Sequence, residues 1–100
     1  MEVTALVVAT DLSPADAERL STSGIEVRPV KPSLDELAAA ALELRRQHPR
    51  LTLVVAGPRR LVSQLEQRYP PLVDVPVFDV SAGAILAALE KDGNFKGKMG

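Results

Sequence analysis

Val3-Thr4-Ala5-Leu6-Val7-Val8-Ala9-Thr10, followed at once by Asp11-Leu12-Ser13-Pro14, decides how the rest of the chain is read. The first eight residues are nearly all apolar and rich in β-branched side chains. A strand with one wet face alternates apolar and polar residues. A run without polar gaps is covered on both faces, as strands of parallel sheets are. The next residues begin a helix. Ser13 suits an N-cap, Pro14 suits the first helical position, where no N–H is needed, and Asp16 falls near the positive helix end. A buried strand that turns directly into a helix is a βα unit.

Working outward, the same unit returns three times. The first helix runs to about Ser21, and Gly24 supplies its stop. Ile25–Val30 alternates in polarity and contains Pro29, which cannot donate to a ladder, so it reads as an edge strand. Ser33-Leu34-Asp35-Glu36 is a capping-box pattern. It opens a helix to about Gln47, with Leu34, Leu37, Ala38, Ala41, Leu42 and the stem of Arg45 on one stripe. His48-Pro49 closes that helix. Leu51–Ala56 is a second strand buried on both faces. Gly57-Pro58 turns into a helix whose inner side carries Leu61, Val62, Leu65 and Tyr69, and Pro70-Pro71 stops it. Val75–Val80 is a fourth strand. Ser81 caps a last helix over about Ala82–Glu90, with Gly93 as its end. Leu6-Val7-Val8-Ala9 recurs as Leu53-Val54-Val55-Ala56. Two related βαβα halves, or the pattern common to all βα units, would each account for that echo.

Strict alternation of strand and helix predicts an α/β, three-layer Rossmann or flavodoxin-like fold with a four-stranded parallel sheet in the order 2-1-3-4. Residues 1–93 are expected to form one domain, and residues 94–100 a Gly/Lys-rich tail. The chain has 100 residues, no cysteine and a formal net charge of −1. That length allows one domain. Without cysteine there is no disulfide framework, zinc-thiolate site or thiol nucleophile. Near-neutral charge offers no general argument for nucleic acid or an anionic membrane as partner. No signal core or membrane span is visible, so a cytoplasmic location is expected. The aromatic residues are Tyr69, Phe78 and Phe95 alone, which leaves the core to Val, Leu, Ile and Ala.

Ligands of open parallel sheets sit outside the carboxyl ends of the strands, where strand order reverses. In the order 2-1-3-4 that point lies between strands 1 and 3. It gathers Thr10, Asp11, Ser13, Gly57, Arg59 and Arg60, with Ser81 and Gly83 after strand 4 on the same edge. Arg59 and Arg60 open a helix whose free N–H groups also attract carboxylate or phosphate; the pair could instead be solvated. Asp11 could bind a ligand hydroxyl or a cation, or be a turn residue. Ser81 could be a cap only. No Ser/His/Asp set can be assembled at this edge, since His48 lies at the opposite one. Neither G-x-x-x-x-G-K-[ST] nor G-x-G-x-x-G occurs, so no cofactor is expected. An enzyme is the last of the readings, and no metal site is expected.

The final helix is apolar nearly all round through Ala82, Ala84, Ile85, Leu86, Ala87, Ala88 and Leu89. So small a sheet is expected to cover only one face of this helix. Ile85, Leu86 and Leu89 are then expected at an interface with a second copy, a second lobe or a partner protein, unless the alanines are simply helix formers that tolerate exposure.

Two resemblances follow from quoted stretches. Ala9-Thr10-Asp11-Leu12-Ser13-Pro14 resembles the opening of universal stress proteins, which bind nucleotide through a late glycine-rich segment that this sequence lacks. Val73 to Leu89, with its Val75-Pro76-Val77-Phe78-Asp79-Val80-Ser81 strand and turn and its Ile85-Leu86-Ala87-Ala88-Leu89 helix, resembles the first lobe of the PrpR-type sensory domain of propionate-catabolism activators. That resemblance implies an effector sensor with two Rossmann-like lobes around a ligand cleft. Gly57-Pro58-Arg59 departs from the S-R-G-G-like turn of that family, and Lys91 to Gly100 falls where such a chain crosses into its second lobe. The expected function is thus a non-catalytic regulatory or sensory domain that binds a small anion and works as a homodimer. The alternatives are an assembly subunit without a ligand and a nucleotide-binding stress-type protein.

Overall fold

In the computed structural model, residues 3–92 are described; the tail expected at 94–100 and the helix stop expected at Gly93 lie outside them. The order is β1 (Ala5–Thr10), α1 (Pro14–Thr22), β2 (Ile25–Val30), α2 (Leu34–Gln47), β3 (Thr52–Ala56), α3 (Arg59–Arg68), β4 (Val75–Val77) and α4 (Ala82–Asp92). The strands form one parallel sheet in the order β2-β1-β3-β4, the α/β fold anticipated. The two central strands are the ones without polar gaps. Pro29 and Pro76 lie in the two edge strands, where a missing donor need not interrupt a ladder. The echoing tetrapeptides lie side by side: Leu6 pairs with Leu53, Val7 with Val54, Val8 with Val55 and Ala9 with Ala56.

Alternation along these strands splits the core in two. Ala5, Val7, Ala9, Val54, Ala56, Val75 and Val77 meet Leu20 of α1 and Ala82, Ile85 and Leu89 of α4. On the other face Leu6, Val8, Leu53 and Val55 meet Leu37, Ala41 and Leu44 of α2 and Val62 and Leu65 of α3. Both faces of the sheet are therefore covered within the chain, as a three-layer fold requires. Ile85 and Leu89 are fully buried in this core, so they are not free to face a partner, and Leu86 packs half-buried beside them. Each fully buried Leu or Ile contributes about 1.5–3 kcal/mol relative to an exposed one.

Two further expectations are corrected. Leu42 is 46% exposed. It lies well round the helix from the Leu37–Ala41–Leu44 line that faces the sheet, so it falls off the stripe. The fourth strand ends at Val77, not Val80. Val77 pairs with Ala56, the last residue of β3, and the Gly57 N–H donates to the Val77 carbonyl at 3.0 Å. Beyond that point β4 has no neighbour to pair with.

The short β4 is tied down at its start. The Arg45 guanidinium donates to the Leu51 carbonyl (3.0 Å), the Leu72 carbonyl (3.1 Å) and Asp74 Oδ2 (2.7 Å). Asp74 Oδ2 also accepts the Leu53 N–H at 2.9 Å. Arg45 therefore clamps α2 to the amino ends of β3 and β4.

Candidate functional site

At the carboxyl edge the chain leaves β1 and β3 in opposite senses, and the crevice between them is where an open parallel sheet holds a ligand. Thr10 ends β1 and is fully buried, and its hydroxyl has no hydrogen-bond partner. A buried polar atom without a partner costs about 1–3 kcal/mol. Thr10 follows Leu6 and Val8 onto the α2/α3 face. Its Oγ1 lies 3.1 Å from where a Cβ on Gly57 would sit, and Val62 of α3 lines the same space at 3.7 Å. The unpartnered hydroxyl is thus set beneath the turn that launches α3.

The helix starts differ in one respect that matters. Ser13 Oγ accepts the Asp16 N–H (3.2 Å), Ser33 Oγ the Glu36 N–H (3.1 Å) and Ser81 Oγ the Ala84 N–H (3.2 Å). These hydroxyls cap α1, α2 and α4, the structural role weighed for Ser81. The N-cap of α3 is Pro58, which makes no side-chain cap bond. The first-turn N–H groups of Arg59, Arg60 and Leu61 have no intrahelical acceptor by geometry. There is no acidic residue in that turn to soften the positive end of the helix, and both arginines stand in it, exposed. Among the described residues the side-chain ion pairs are Arg28–Glu43 and Arg45–Asp74, so neither Arg59 nor Arg60 is spent on a carboxylate there.

Asp11 is exposed and adopts the left-handed region, with φ of 56°. Aspartate tolerates that conformation better than most residues, though at a cost. It lets β1 break off sharply at the crevice before Ser13 caps α1. Gly83 is exposed, and a Cβ there would meet nothing within 4 Å; no close approach requires its glycine. Thr10, Gly57, Arg59 and Arg60 therefore come together around the start of α3. Asp11 flanks them at the end of β1, while the hydroxyls of Ser13 and Ser81 are occupied as caps.

One residue of this edge was missed in the sequence. Phe78 follows β4, is 38% exposed, and carries the Arg59 guanidinium 4.1 Å above its ring centroid. It was read as a strand residue. The signal for it lay in the alternation: Val75 and Val77 point into one core, so Phe78 could not share that face.

The opposite edge carries different chemistry. Thr4, Arg45, Arg50, Leu51, Thr52 and Asp74 line an open hollow of about 340 Å³, in which Arg45 and Asp74 are already joined. His48 closes α2 at this edge, away from the crevice. No group of three His, Asp or Glu placed to hold a metal ion occurs among the described residues, and none of their helices is long and apolar enough to cross a membrane. Comparison with protein families, with curated proteins and with solved structures gives no match.

Proposed function

We propose that this chain is a cytoplasmic, non-catalytic regulatory or sensory module that binds a small carboxylate or phosphate at the carboxyl edge of its sheet. The observation that carries this reading is the start of α3. It combines uncapped N–H groups with two arginines that have no carboxylate partner among the described residues, at the point where strand order reverses. The positive helix end and the N–H groups attract an anion together. The guanidinium groups add charge-assisted hydrogen bonds with a bidentate geometry. The position of His48, at the other edge, favours binding over acid–base catalysis. The likeness of residues 73–89 to a sensory lobe supports a regulatory use of that binding.

Calorimetric titration with inorganic phosphate and with acetate tests the reading. Saturable binding is expected, weakened about three- to tenfold by Arg60→Ala, the size of one exposed charge-assisted contact. No binding of either anion, or equal binding by the variant, contradicts it.

A working unit of two copies is part of the proposal. With Ile85 and Leu89 buried, the apolar surface left on α4 is Gly83 and Ala87, exposed, with Ala84 and Ala88 half-exposed beside Leu86; apart from Leu86 these residues are small. Small residues of this kind let two helices approach closely.

A further inference from the structure

Phe78 is an exposed aromatic ring in a chain with very few, and the guanidinium of Arg59 lies over it, 4.1 Å from its centroid. A guanidinium is planar and delocalised, and it stacks on aromatic faces in a way that an ammonium does not. Arg59 is itself exposed. With Phe78 against its guanidinium it therefore still has solvent-facing surface for a second flat group. Arg59 also stands in the first turn of α3, beside the uncapped N–H groups. The edge therefore sets a flat stacking surface next to an anion pole.

We infer that Arg59 and Phe78 form a stacking platform, so that the anion bound at the start of α3 carries a planar aromatic ring close to its charge. This inference rests on the anion site proposed above and narrows its ligand class. The anionic group accepts hydrogen bonds from the Arg59–Leu61 N–H groups and from Arg60. The ring lies on the outer face of the Arg59 guanidinium, in a three-layer stack of ring, guanidinium and Phe78. Phe78 holds the guanidinium flat and in place before the ligand arrives, so less side-chain freedom is lost on binding.

Methyl phosphate and phenyl phosphate carry like charge and differ in the ring, so the ratio of their affinities reads the platform directly. Titrations of the whole chain are expected to give phenyl phosphate about three- to tenfold tighter than methyl phosphate, the range for one exposed stacked contact. Arg59→Lys keeps the charge and removes the plane. It is expected to bring that ratio close to one, whatever the loss of bidentate contacts does to the affinity for both phosphates alike. Phe78→Leu, which keeps an apolar side chain, is expected to lower the ratio as well. If methyl and phenyl phosphate bind the unsubstituted chain equally, the platform is refuted and the anion site stands. A preference for the ring that survives both substitutions also refutes it, since the ring then rests elsewhere. If neither phosphate binds, the anion site itself fails and the platform falls with it.

Discussion

Thr10 concentrates the conflict between stability and binding. Its hydroxyl is sealed in the core without a partner, where valine would fill nearly the same shape with no polar atom. Thr10→Val is therefore expected to raise stability by about 1–2 kcal/mol, read as a shift of the urea midpoint at constant slope. A loss of stability would mean that the hydroxyl is satisfied in solution. The sequence placed this threonine at the carboxyl edge, but nothing in it marked the hydroxyl as unpartnered. Threonine is an ordinary strand residue, and its isolation depends on Gly57 and Val62, far along the chain. Asp11 was equally opaque, because its left-handed backbone follows from the sharp exit of β1 and not from any motif. The arginines of α3 were visible as a pair at a helix start. Their freedom from carboxylates, and the seat of Arg59 on Phe78, needed the fold.

Caps were the part of each element most legible in the sequence. Ser13 and Ser33 were identifiable because cap chemistry is local: a hydroxyl three residues before an N–H that needs an acceptor. The end of β4 was not legible, because it is fixed by the length of β3 and not by the residues Phe78-Asp79-Val80. Pro58 is the exception among the helix starts, and its lack of a side-chain acceptor is what leaves the first N–H groups of α3 uncapped, the basis of the proposed anion site. Placing a carboxylate there fills the position from within the chain. Pro58→Asp is expected to stabilise the fold by about 0.5–1 kcal/mol, through the cap and the helix dipole, and to weaken phosphate binding at least tenfold. A variant that gains stability and binds phosphate as before would locate the anion elsewhere.

At the scale of the whole molecule, the strand order was readable from two facts: the central strands lack polar gaps, and the edge strands contain proline. The pairing of Leu6-Val7-Val8-Ala9 with Leu53-Val54-Val55-Ala56 in register gives the echo in the sequence a physical use, whatever its origin. Identical side chains meet at the centre of the sheet, and both its faces are served by like residues. The distribution of helices was as expected, but not the exposure of Ile85 and Leu89: an all-apolar α4 was expected to leave them as spare surface. Ile85 and Leu89 are spent on the sheet, and the apolar surface that remains is mostly alanine and glycine, with Leu86 half-exposed. If two copies join there, light scattering gives twice the 10.7 kDa chain mass, and Ala87→Glu returns it to the single-chain value without loss of the fold. A single-chain mass at high concentration removes the dimer and leaves the anion site untouched.

The central claim is that the start of α3 is an anion site, and amide NMR during titration with inorganic phosphate tests it most directly. The N–H resonances of Arg59, Arg60 and Leu61 are expected to shift together and saturate, while those at the Arg45–Asp74 edge stay in place. Shifts that never saturate, or that gather around Arg45 and Arg50 instead, would contradict the account.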